Sequence, residues 1–571
     1  MKLFDAFNEK SPNKVFISII LGALAGVCYA FLIPIVLNSL APEVGRFARV
    51  SPEMNTFLTF DVANYKFATL FFFPCVFILV ARSVSHIMSL RISMHVATEL
   101  RMKIYHRVAR APIVALEKMG SPKLIAALTT DVQRIVMGAR SLPDLLISLV
   151  TLVGMLGFLL YMNSAAFWFV MGAIIFGVIA YQIPMHFGNQ IFMRSRNIAD
   201  ELQASIRGLI YGAKELKLNT KKRENFFNEM LIAGEAEILK LDKRGFTIVR
   251  ASTNFGDLIS FFVIGAMTFI FVNYHSISNA ELLGVIMALL YVTGPVASIL
   301  SFIPQVAMAH ISLNKMNQIL AELPEEDANQ EVVPIKEWSK MSFSNVTYQH
   351  IGTEDSAGFQ IGPISFEVER GHITFIVGGN GSGKSTLSKL VTLHYLPKDG
   401  EICFDDTKVD LQTLVSCRQE IGAIFSDYYL FDRLLGLKDT EQEEIDAYLR
   451  DLRLDQKVSV KNGHFSTLAL SDGQKKRLAL LVAYLENKNL YIFDEWAADQ
   501  DPNFKEVFYH KILPELKAKN KAVVVISHDD RYFHVADKVL VMEEGKLARI
   551  ELISEETRQA GIAASKAAIK V

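Results

Sequence analysis

Six apolar segments in the first 302 residues are each of the length that a membrane-spanning helix requires, about 20 residues. They lie at residues 15–40, 67–89, 145–162, 165–183, 255–272 and 282–302. Hydrophobic residues make up 51% of the 571 residues, which is typical of a chain with a large membrane-embedded part. The sequence therefore predicts an all-α transmembrane domain of six helices.

The loops between these segments predict their orientation. Only Asn163 and Ser164 separate the third and fourth segments, and the loop at 273–281 contains no Lys or Arg. The linkers at 90–144 and 184–254 instead carry nine and twelve Lys or Arg residues. Because basic loops stay on the cytoplasmic side, we expect both long linkers, the N-terminus and the C-terminal half to be cytoplasmic.

Both long linkers are predicted to be helical. Apolar residues recur at steps of four, as at Val96, Leu100, Ile104 and Val108. Such helices would extend the transmembrane bundle into the cytoplasm. Their tips, near residues 118–122 and 211–215, are candidates to contact the C-terminal domain.

The residue pattern changes after the sixth apolar segment. We predict a transmembrane domain at 1–321, a Glu- and Pro-rich linker at 322–336, an α/β domain at 337–554 and a tail at 555–571. Residues 1–320 have a net charge of +10 and the remainder −11. The basic residues flank apolar segments and show no pattern for binding nucleic acid, so no nucleic-acid partner is expected.

A glycine-rich loop in the α/β domain has the pattern G-x-x-x-x-G-K-[ST]. It follows a predicted strand at 373–377 and opens a helix, which is the context that a phosphate-binding P-loop requires. Lys384 is predicted to reach the β- and γ-phosphates of ATP, and Ser385 to ligate Mg²⁺. The residues assigned to ATP here are Gly378, Gly379, Asn380, Gly381, Ser382, Gly383, Lys384, Ser385 and Thr386.

Two further strand ends carry candidate catalytic groups. Asp494 ends a predicted strand and would hold Mg²⁺ through water, while Glu495 would polarise the attacking water. His528 follows the strand at 522–526 and would contact the γ-phosphate.

The segment LSDGQ at 470–474 resembles the signature of ABC transporter ATPases, with Asp472 where glycine is commoner. This resemblance implies that Ser471, Gly473 and Gln474 bind the ATP held by the P-loop of a second subunit. A homodimer with two shared ATP sites is therefore implied. The whole chain resembles an exporter-type half-transporter, in which six spans and long cytoplasmic helices precede a P-loop ATPase domain.

The same resemblance assigns two further positions. Asp501 occupies the place of the D-loop aspartate and is assigned to the ATP site, and Ser426 occupies the place where the family has a Mg²⁺-ligating Gln. Either Ser426 or the following Asp427 is a candidate to replace that ligand. Tyr348 is a candidate to stack on adenine, although an ordinary strand aromatic is the alternative.

Three unusual runs resemble the bacterial cyclic-peptide exporter branch: FSDYYLFD at 425–432, FDEWAADQDP at 493–502 and ISHDDRYF at 526–533. That branch exports lasso peptides, lipopeptide toxins and siderophore precursors. The resemblance implies ATP-driven export of a peptide or peptide-derived metabolite across the bacterial inner membrane by a multi-pass homodimer in contact with membrane lipid. A lipid or multidrug exporter of the same architecture is the alternative. A non-transporting ABC regulator is less favoured, because the ATPase motifs are intact.

The apolar segments carry few candidates for cargo binding. Asp257, near the start of the fifth segment, is an intramembrane carboxylate that could contact cargo or be solvated at the cytoplasmic end. Thr293, Ser298 and Gln305 could line a cavity or bond neighbouring helices.

Overall fold

The computed structural model describes residues 12–40, 55–57, 60–62, 65–326, 332–350, 358–437, 441–554 and 556. The chain forms two compact units. The first unit contains the residues up to Ile104 together with Ile125–Ile319, and the second contains Tyr105–Leu124 together with the residues from Leu320 onwards. The predicted linker is described except at 327–331, and the predicted tail lies outside the described residues apart from Glu556.

Long helices dominate the N-terminal part of the chain. They are α1 (Pro12–Leu40), α2 (Tyr65–Arg110), α3 (Ile113–Met119), α4 (Ser121–Ala126), α5 (Val132–Met162), α6 (Ser164–Tyr211), α7 (Ala213–Leu218), α8 (Thr220–Asn225), α9 (Ala233–Phe269) and α10 (Asn279–Glu322), with a short pair of strands β1 (Asn55–Phe57) and β2 (Phe60–Val62). Among the described residues, six helical stretches are long and apolar enough to cross a membrane. The six predicted spans are thereby confirmed.

The prediction of helical linkers is also confirmed. Helices α2 and α6 contain 46 and 48 residues and run well beyond their apolar segments. At a rise of 1.5 Å per residue each is about 70 Å long, roughly twice the thickness of a bilayer core.

Small residues let the helices of the first unit approach closely. Thr151 on α5 donates a hydrogen bond to the backbone carbonyl of Gly26 on α1 at 3.3 Å. A Cβ added at Gly154 would lie 2.5 Å from the Cβ of Ala30, so only glycine fits there. Such close packing replaces the hydrophobic driving force that helices lack inside a membrane.

A buried carboxylate ties α10 to the π-helical turn that precedes α5. Asp131 is 2% exposed, lies 3.2 Å from the ammonium of Lys315 and accepts a hydrogen bond from Ser312 at 3.1 Å. A buried charge with these partners avoids the cost of burying an unpaired carboxylate.

The described strands of the second unit are β3 (Lys340–Gln349), β4 (Gln360–Glu369), β5 (Ile373–Gly378), β6 (Asp399–Phe404), β7 (Thr407–Lys408), β8 (Ile421–Ile424), β9 (Val460–Lys461), β10 (His464–Phe465), β11 (Leu490–Asp494), β12 (Ala522–Ile526), β13 (Lys538–Glu543) and β14 (Lys546–Leu552). The larger sheet has the strand order β14-β13-β5-β12-β11-β8, in which β14 is antiparallel and the others are parallel. A smaller antiparallel sheet has the order β4-β3-β6-β7, and β9 and β10 form a separate antiparallel pair.

Helices cover the larger sheet on both faces, so its central strands are continuous apolar runs. Phe375 of β5 packs into the core on one face, and the next residue, Ile376, into the core on the other. The helices are α11 (Lys384–Val391), α12 (Leu414–Gln419), α13 (Gln442–Asp451), α14 (Asp472–Glu486), α15 (Pro502–Val507) and α16 (Leu513–Ala518). The predicted α/β class of this domain is confirmed.

The parallel register brings three strand ends to one edge of the sheet. Asp494 of β11 lies opposite Ile526 of β12, which in turn lies opposite Ile376 of β5. The loops that follow these strands therefore start side by side, at the position where open α/β sheets bind their ligands.

Candidate active site

The glycine-rich loop joins β5 to α11 and depends on its glycines for its shape. Gly381 and Gly383 have φ of +78° and +98°, which disfavour any residue with a Cβ. A Cβ added at Gly378 would lie 2.3 Å from the backbone oxygen of Met542. The loop ends at the N-terminus of α11, where backbone N–H groups and the helix dipole favour a phosphate.

Two polar groups of this loop fit a triphosphate. Lys384 is 6% exposed, and its ammonium donates hydrogen bonds to the backbone oxygens of Gly378 and Gly379 at 3.0 and 2.9 Å. Burial lowers the pKa of Lys384, while the nearby carboxylates of Glu495 and Asp494 act in the opposite direction. Within the described part of the chain, the buried hydroxyl of Ser382 has no hydrogen-bond partner.

The predicted acidic pair lies at the same edge of the sheet. Asp494 is 5% exposed, and its pKa is raised to about 6, first by burial and then by repulsion from Glu495 and Asp427. Lys384 and a hydrogen bond from the backbone N–H of Ser426 act in the opposite direction. The structure thus brings Ser426 and Asp427 next to Asp494, because β8 runs parallel to β11.

These side chains do not form a complete metal site by themselves. Among the described residues, no group of three or more His, Cys, Asp or Glu is placed to hold a metal ion. The oxygen donors present suit Mg²⁺, which is commonly held by one or two carboxylates together with substrate phosphates.

Glu495 and His528 meet at the ends of β11 and β12. The imidazole Nε2 of His528 lies 2.8 Å from the carboxylate of Glu495, and both side chains are partly exposed. The backbone N–H of Glu495 donates to the carbonyl of Ile526 at 3.1 Å. Both candidates therefore face solvent beside the phosphate loop, where a water molecule can reach them.

The signature segment forms the start of α14. Ser471 caps this helix, accepting from the N–H of Gln474 at 3.4 Å, and the Gln474 side chain accepts from the N–H of Ser471 at 3.2 Å. A Cβ added at Gly473 would lie 2.8 Å from the backbone oxygen of Asp499, so glycine is required. The first turn of a 15-residue helix is thus held open to solvent, in the arrangement that suits an anion.

The assignment of Asp501 to the ATP site stays a prediction, and the structure shows which protein groups this residue contacts. Its carboxylate caps α15, accepting from the N–H of Phe504 at 3.0 Å, and lies 2.5 Å from the guanidinium of Arg477 on α14. These bonds hold the loop after β11 against the signature helix.

The structure buries Tyr348 and presents a different ring to the phosphate loop. Tyr348 is 9% exposed and stacks on Tyr395 with ring centroids 4.5 Å apart. His350, two residues later, lies 3.1 Å from the hydroxyl of Thr386 at the start of α11. Adenine stacking by Tyr348 stays a prediction. Sequence reasoning overlooked His350, although residues two apart in a strand share a face.

The first predicted helix tip, near residues 118–122, lies in the second unit. Helix α3 supplies Glu117, whose carboxylate lies 2.6 Å from the ammonium of Lys389 on α11 and accepts a hydrogen bond from Tyr395 at 2.6 Å. Val114 packs against the core beneath the smaller sheet. The tip is thus bound to the helix that begins in the phosphate loop.

Glu326 binds the backbone just before α3. Its backbone N–H donates to the carbonyl of Arg110 at 2.8 Å, and its carboxylate forms two hydrogen bonds with the guanidinium of Arg418 at 2.8 and 3.0 Å. Bidentate pairs of this kind are among the stronger polar contacts in proteins.

A cavity of about 600 Å³ lies in the first unit between α6, α9 and α10. Among the described side chains, no charged one lines it, and its polar lining comes mostly from hydroxyls, which include Tyr181, Thr253, Ser260, Thr293, Ser298 and Ser301. Two of the three predicted cavity residues, Thr293 and Ser298, are among them, whereas Gln305 is not. Asp257 lies in α9, but its side chain falls outside what the structure describes.

The two units together define a membrane transporter driven by ATP, and the comparisons agree. Residues 361–498 match the ABC transporter family model, and residues 15–296 match the ABC transporter transmembrane region. The chain belongs to the ABC transporter family and is an exporter-type half-transporter, a multi-pass membrane protein that couples ATP hydrolysis to transport.

Several curated relatives share both halves of the chain. ATP-binding protein SyrD of Pseudomonas syringae pv. syringae is 31% identical over 79% of this chain and 82% of its own length. A multidrug resistance ABC transporter ATP-binding and permease protein of Lactococcus lactis subsp. lactis is 25% identical over 79% of this chain and 78% of its own length. An ATP-dependent lipid A-core flippase of Shewanella frigidimarina is 25% identical over 82% and 80%.

Proposed function

We propose that this protein exports a peptide or a peptide-derived metabolite, such as a cyclic peptide, lasso peptide, lipopeptide or siderophore precursor, across the bacterial inner membrane. The observation that carries the ATP-driven part of the proposal is the composition of the second unit, and the cargo class rests on the cavity lining described below. It contains both the three strand ends with their ATP-binding groups and the 105–124 segment of the membrane-domain polypeptide. A change at the phosphates can therefore reach the membrane helices through α3.

Five side chains carry the proposed ATP chemistry. Lys384 exchanges its bonds with Gly378 and Gly379 for bonds with the β- and γ-phosphates. Ser385 and Asp494 would hold Mg²⁺, which would supply positive charge beside the transferring phosphoryl group. Glu495 polarises the attacking water, and His528 contacts the γ-phosphate while its ring bonds the Glu495 carboxylate.

Ser426 and Asp427 lie where the family usually has a Gln that ligates Mg²⁺, and both are close to Asp494. The backbone N–H of Ser426 already bonds Asp494, so its side chain and that of Asp427 lie within the surroundings of the proposed metal. We assign the replacement ligand to one of these two residues, because both supply the oxygen donors that Mg²⁺ requires.

The working form is proposed to be a homodimer. The first turn of α14 is open to solvent, and Asp472 in that turn has a side chain that is 84% exposed. A second copy can therefore place its ATP against Ser471 and Gly473, which gives two equivalent sites related by two-fold symmetry.

The cavity in the first unit supports a peptide cargo. Thr293 and Ser301 donate their hydroxyl hydrogens to backbone carbonyls of their own helix at 2.9 and 2.8 Å. Each hydroxyl oxygen still has lone pairs that can accept a hydrogen bond from cargo. Such a lining suits a cargo with apolar side chains and amide N–H donors, whereas a strongly charged headgroup would find no counter-charge among the described side chains that line the cavity.

The proposed orientation follows the distribution of basic residues. The N-terminus, the long linkers and the ATPase are cytoplasmic, and the short loop at 273–281 faces away from the cytoplasm.

The first experiment replaces the proposed base in the purified full-length protein. Glu495→Gln keeps the side-chain volume and removes the carboxylate, so ATP should bind and trap a dimer while hydrolysis and transport stop. Phosphate release and the elution volume with ATP measure both effects. Unchanged phosphate release would remove Glu495 from its role.

The second experiment tests the cargo class by stimulation of ATPase activity in lipid vesicles. A cyclic peptide should stimulate the wild type, and Gly294→Leu should abolish that stimulation without lowering the basal rate. Gly294 lines the cavity, and a Cβ there meets no described atom within 4 Å, so the larger side chain would occupy the cavity. Gly157→Leu is the matched control, because Gly157 has equally open space on α5 and does not line the cavity.

A lipid or multidrug exporter is the second candidate, favoured by the relatives whose names specify those cargoes. If only lipids or small amphipathic drugs stimulate the ATPase, and Gly294→Leu abolishes that stimulation instead, the cavity serves this alternative and the peptide proposal is wrong.

A further inference from the structure

A buried lysine on the signature helix contacts the backbone of the proposed catalytic glutamate. Lys476 of α14 is 4% exposed, and its ammonium donates a hydrogen bond to the backbone carbonyl of Glu495 at 3.0 Å. The same ammonium lies 2.7 Å from the carboxylate of Asp499. We propose that Lys476 is a positioning residue for ATP hydrolysis, which acts by fixing the backbone of Glu495.

The backbone of Glu495 is in a conformation that needs such support. Its φ of +50° and ψ of 31° lie in the left-handed region, which is unfavourable for a residue with a Cβ. The N–H of Glu495 is held by the carbonyl of Ile526 at 3.1 Å, and its own carbonyl by Lys476 at 3.0 Å. With both peptide groups held, the side chain leaves the backbone in the direction that meets His528.

The contact is reciprocal. The indole Nε1 of Trp496, the residue after Glu495, donates to the backbone carbonyl of Lys476 at 2.9 Å. Trp496 is 1% exposed and stacks on Phe508 with ring centroids 4.4 Å apart, so it cannot turn without disturbing the core. Each of the two segments therefore bonds the backbone of the other, which fixes the catalytic turn against α14.

An ammonium suits this place better than a neutral amide. It has three donors and a positive charge, so it bonds the Glu495 carbonyl and neutralises the Asp499 carboxylate at the same time. Removing the ammonium would leave the Glu495 carbonyl without this donor and the half-exposed Asp499 carboxylate without this partner. Glu495 would then be free to leave its strained conformation.

The signature motif lies on the same helix as Lys476. Ser471, which caps α14, lies five residues before Lys476 on the same helix. A phosphate that binds at the first turn of α14 would therefore act on a helix that is bonded directly to the proposed base. In the proposed dimer, the helix α14 that binds the partner's nucleotide is therefore also the helix that positions Glu495 of its own subunit.

The test compares two buried lysines in the full-length protein in lipid vesicles. Lys476→Met keeps the length and apolar stem of the side chain and removes the ammonium. Lys521→Met is the matched control, because Lys521 is 9% exposed and its ammonium bonds Asn489 at 3.2 Å, with no bond to Glu495. Lys476→Arg restores a charged donor.

We expect Lys476→Met to lower kcat about 10- to 100-fold, as misplacement of a catalytic group by about 1 Å can do. The KM for ATP should stay within about two-fold, because ATP binding does not use this contact. Lys476→Arg should recover part of kcat, and Lys521→Met should leave it unchanged. The same loss of kcat in Lys521→Met, or a rise in KM with kcat unchanged, would overturn the proposal.

If Lys476→Met does not fold, Trp496→Phe tests the other arm of the contact. It keeps an aromatic ring on Phe508 and removes the bond to the Lys476 carbonyl, so kcat should fall without a rise in KM. An unchanged kcat would overturn the proposal. This inference rests on the proposed role of Glu495. If Glu495→Gln still hydrolyses ATP, the assignment of Glu495 as the base fails. If Glu495→Gln stops hydrolysis but Lys476→Met leaves kcat unchanged, only the positioning role of Lys476 fails.

Discussion

Replacing Asp494 by Asn should stabilise the nucleotide-free protein at neutral pH, although it removes a proposed Mg²⁺ ligand. The carboxylate is 5% exposed and lies near Glu495 and Asp427, and its pKa is raised from 3.8 to about 6. At pH 7 Asp494 is therefore mostly ionised in the folded chain, although its surroundings favour the neutral acid. Asn has the same shape, carries no charge and can still accept the hydrogen bond from the Ser426 N–H.

The magnitude follows from the difference between the two pKa values. A gap of about two pH units corresponds to about 3 kcal/mol, at about 1.4 kcal/mol per unit. Since the folded pKa is the higher one, the folded state binds more protons between pH 4 and pH 6, and the stability contributed by Asp494 falls as the pH rises through that range. The stability gained from Asp494→Asn should be close to its full value at pH 7.5 and clearly smaller at pH 5.

Tryptophan fluorescence can report the second unit alone. The chain has three tryptophans, and Trp168→Phe leaves only Trp338 and Trp496, both in the second unit. In this background, Asp494→Asn should raise the Tm at pH 7.5 by a few degrees. Addition of Mg²⁺ and ATP should raise the Tm of the Asp494 protein more than that of the Asn variant, because binding to the folded state stabilises it. A lower Tm for Asp494→Asn without nucleotide, or the same difference at both pH values, would refute the reasoning.

Three further variants test contacts around the phosphate loop and the helix that follows it. Glu117→Gln removes the charge that pairs with Lys389, so transport in vesicles should fall at least several-fold while basal ATP hydrolysis stays near the wild-type rate; equal losses of both activities would argue against a coupling role. His350→Ala should weaken ATP binding about 5- to 150-fold, measured by fluorescence titration, because a ring that stacks on a base contributes about 1 to 3 kcal/mol. Tyr348→Phe, which keeps the buried ring, should leave ATP affinity unchanged, and the opposite ranking would return adenine stacking to Tyr348.

Local pattern was sufficient for the parts of the site that lie in one short stretch of chain. The loop at 378–385 could be predicted because strand, glycines, lysine and helix follow each other directly, and the structure places it between β5 and α11. The acidic pair and His528 could be placed for the same reason, since each follows an apolar strand. The apolar segments predicted six spans because bilayer thickness sets their length.

Other features depended on which segments meet. Tyr348 and His350 look equally suitable in the sequence, and only the packing of Tyr395 on Tyr348 separates them. Lys476 reads as an ordinary basic residue of an exposed helix, and its burial against Glu495 appears only when α14 and β11 are brought together.

The sequence by itself determined the order of the parts: six apolar spans, basic helical linkers and an ATPase with its motifs at strand ends. These follow from periodicity, from hydropathy and from short motifs whose chemistry is local. Tertiary structure alone decided that Asp427 lies beside Asp494, that Glu117 binds Lys389, and that hydroxyls from three helices share one cavity. Those contacts join residues far apart in the chain, and their energies depend on distance and burial, which no local pattern contains.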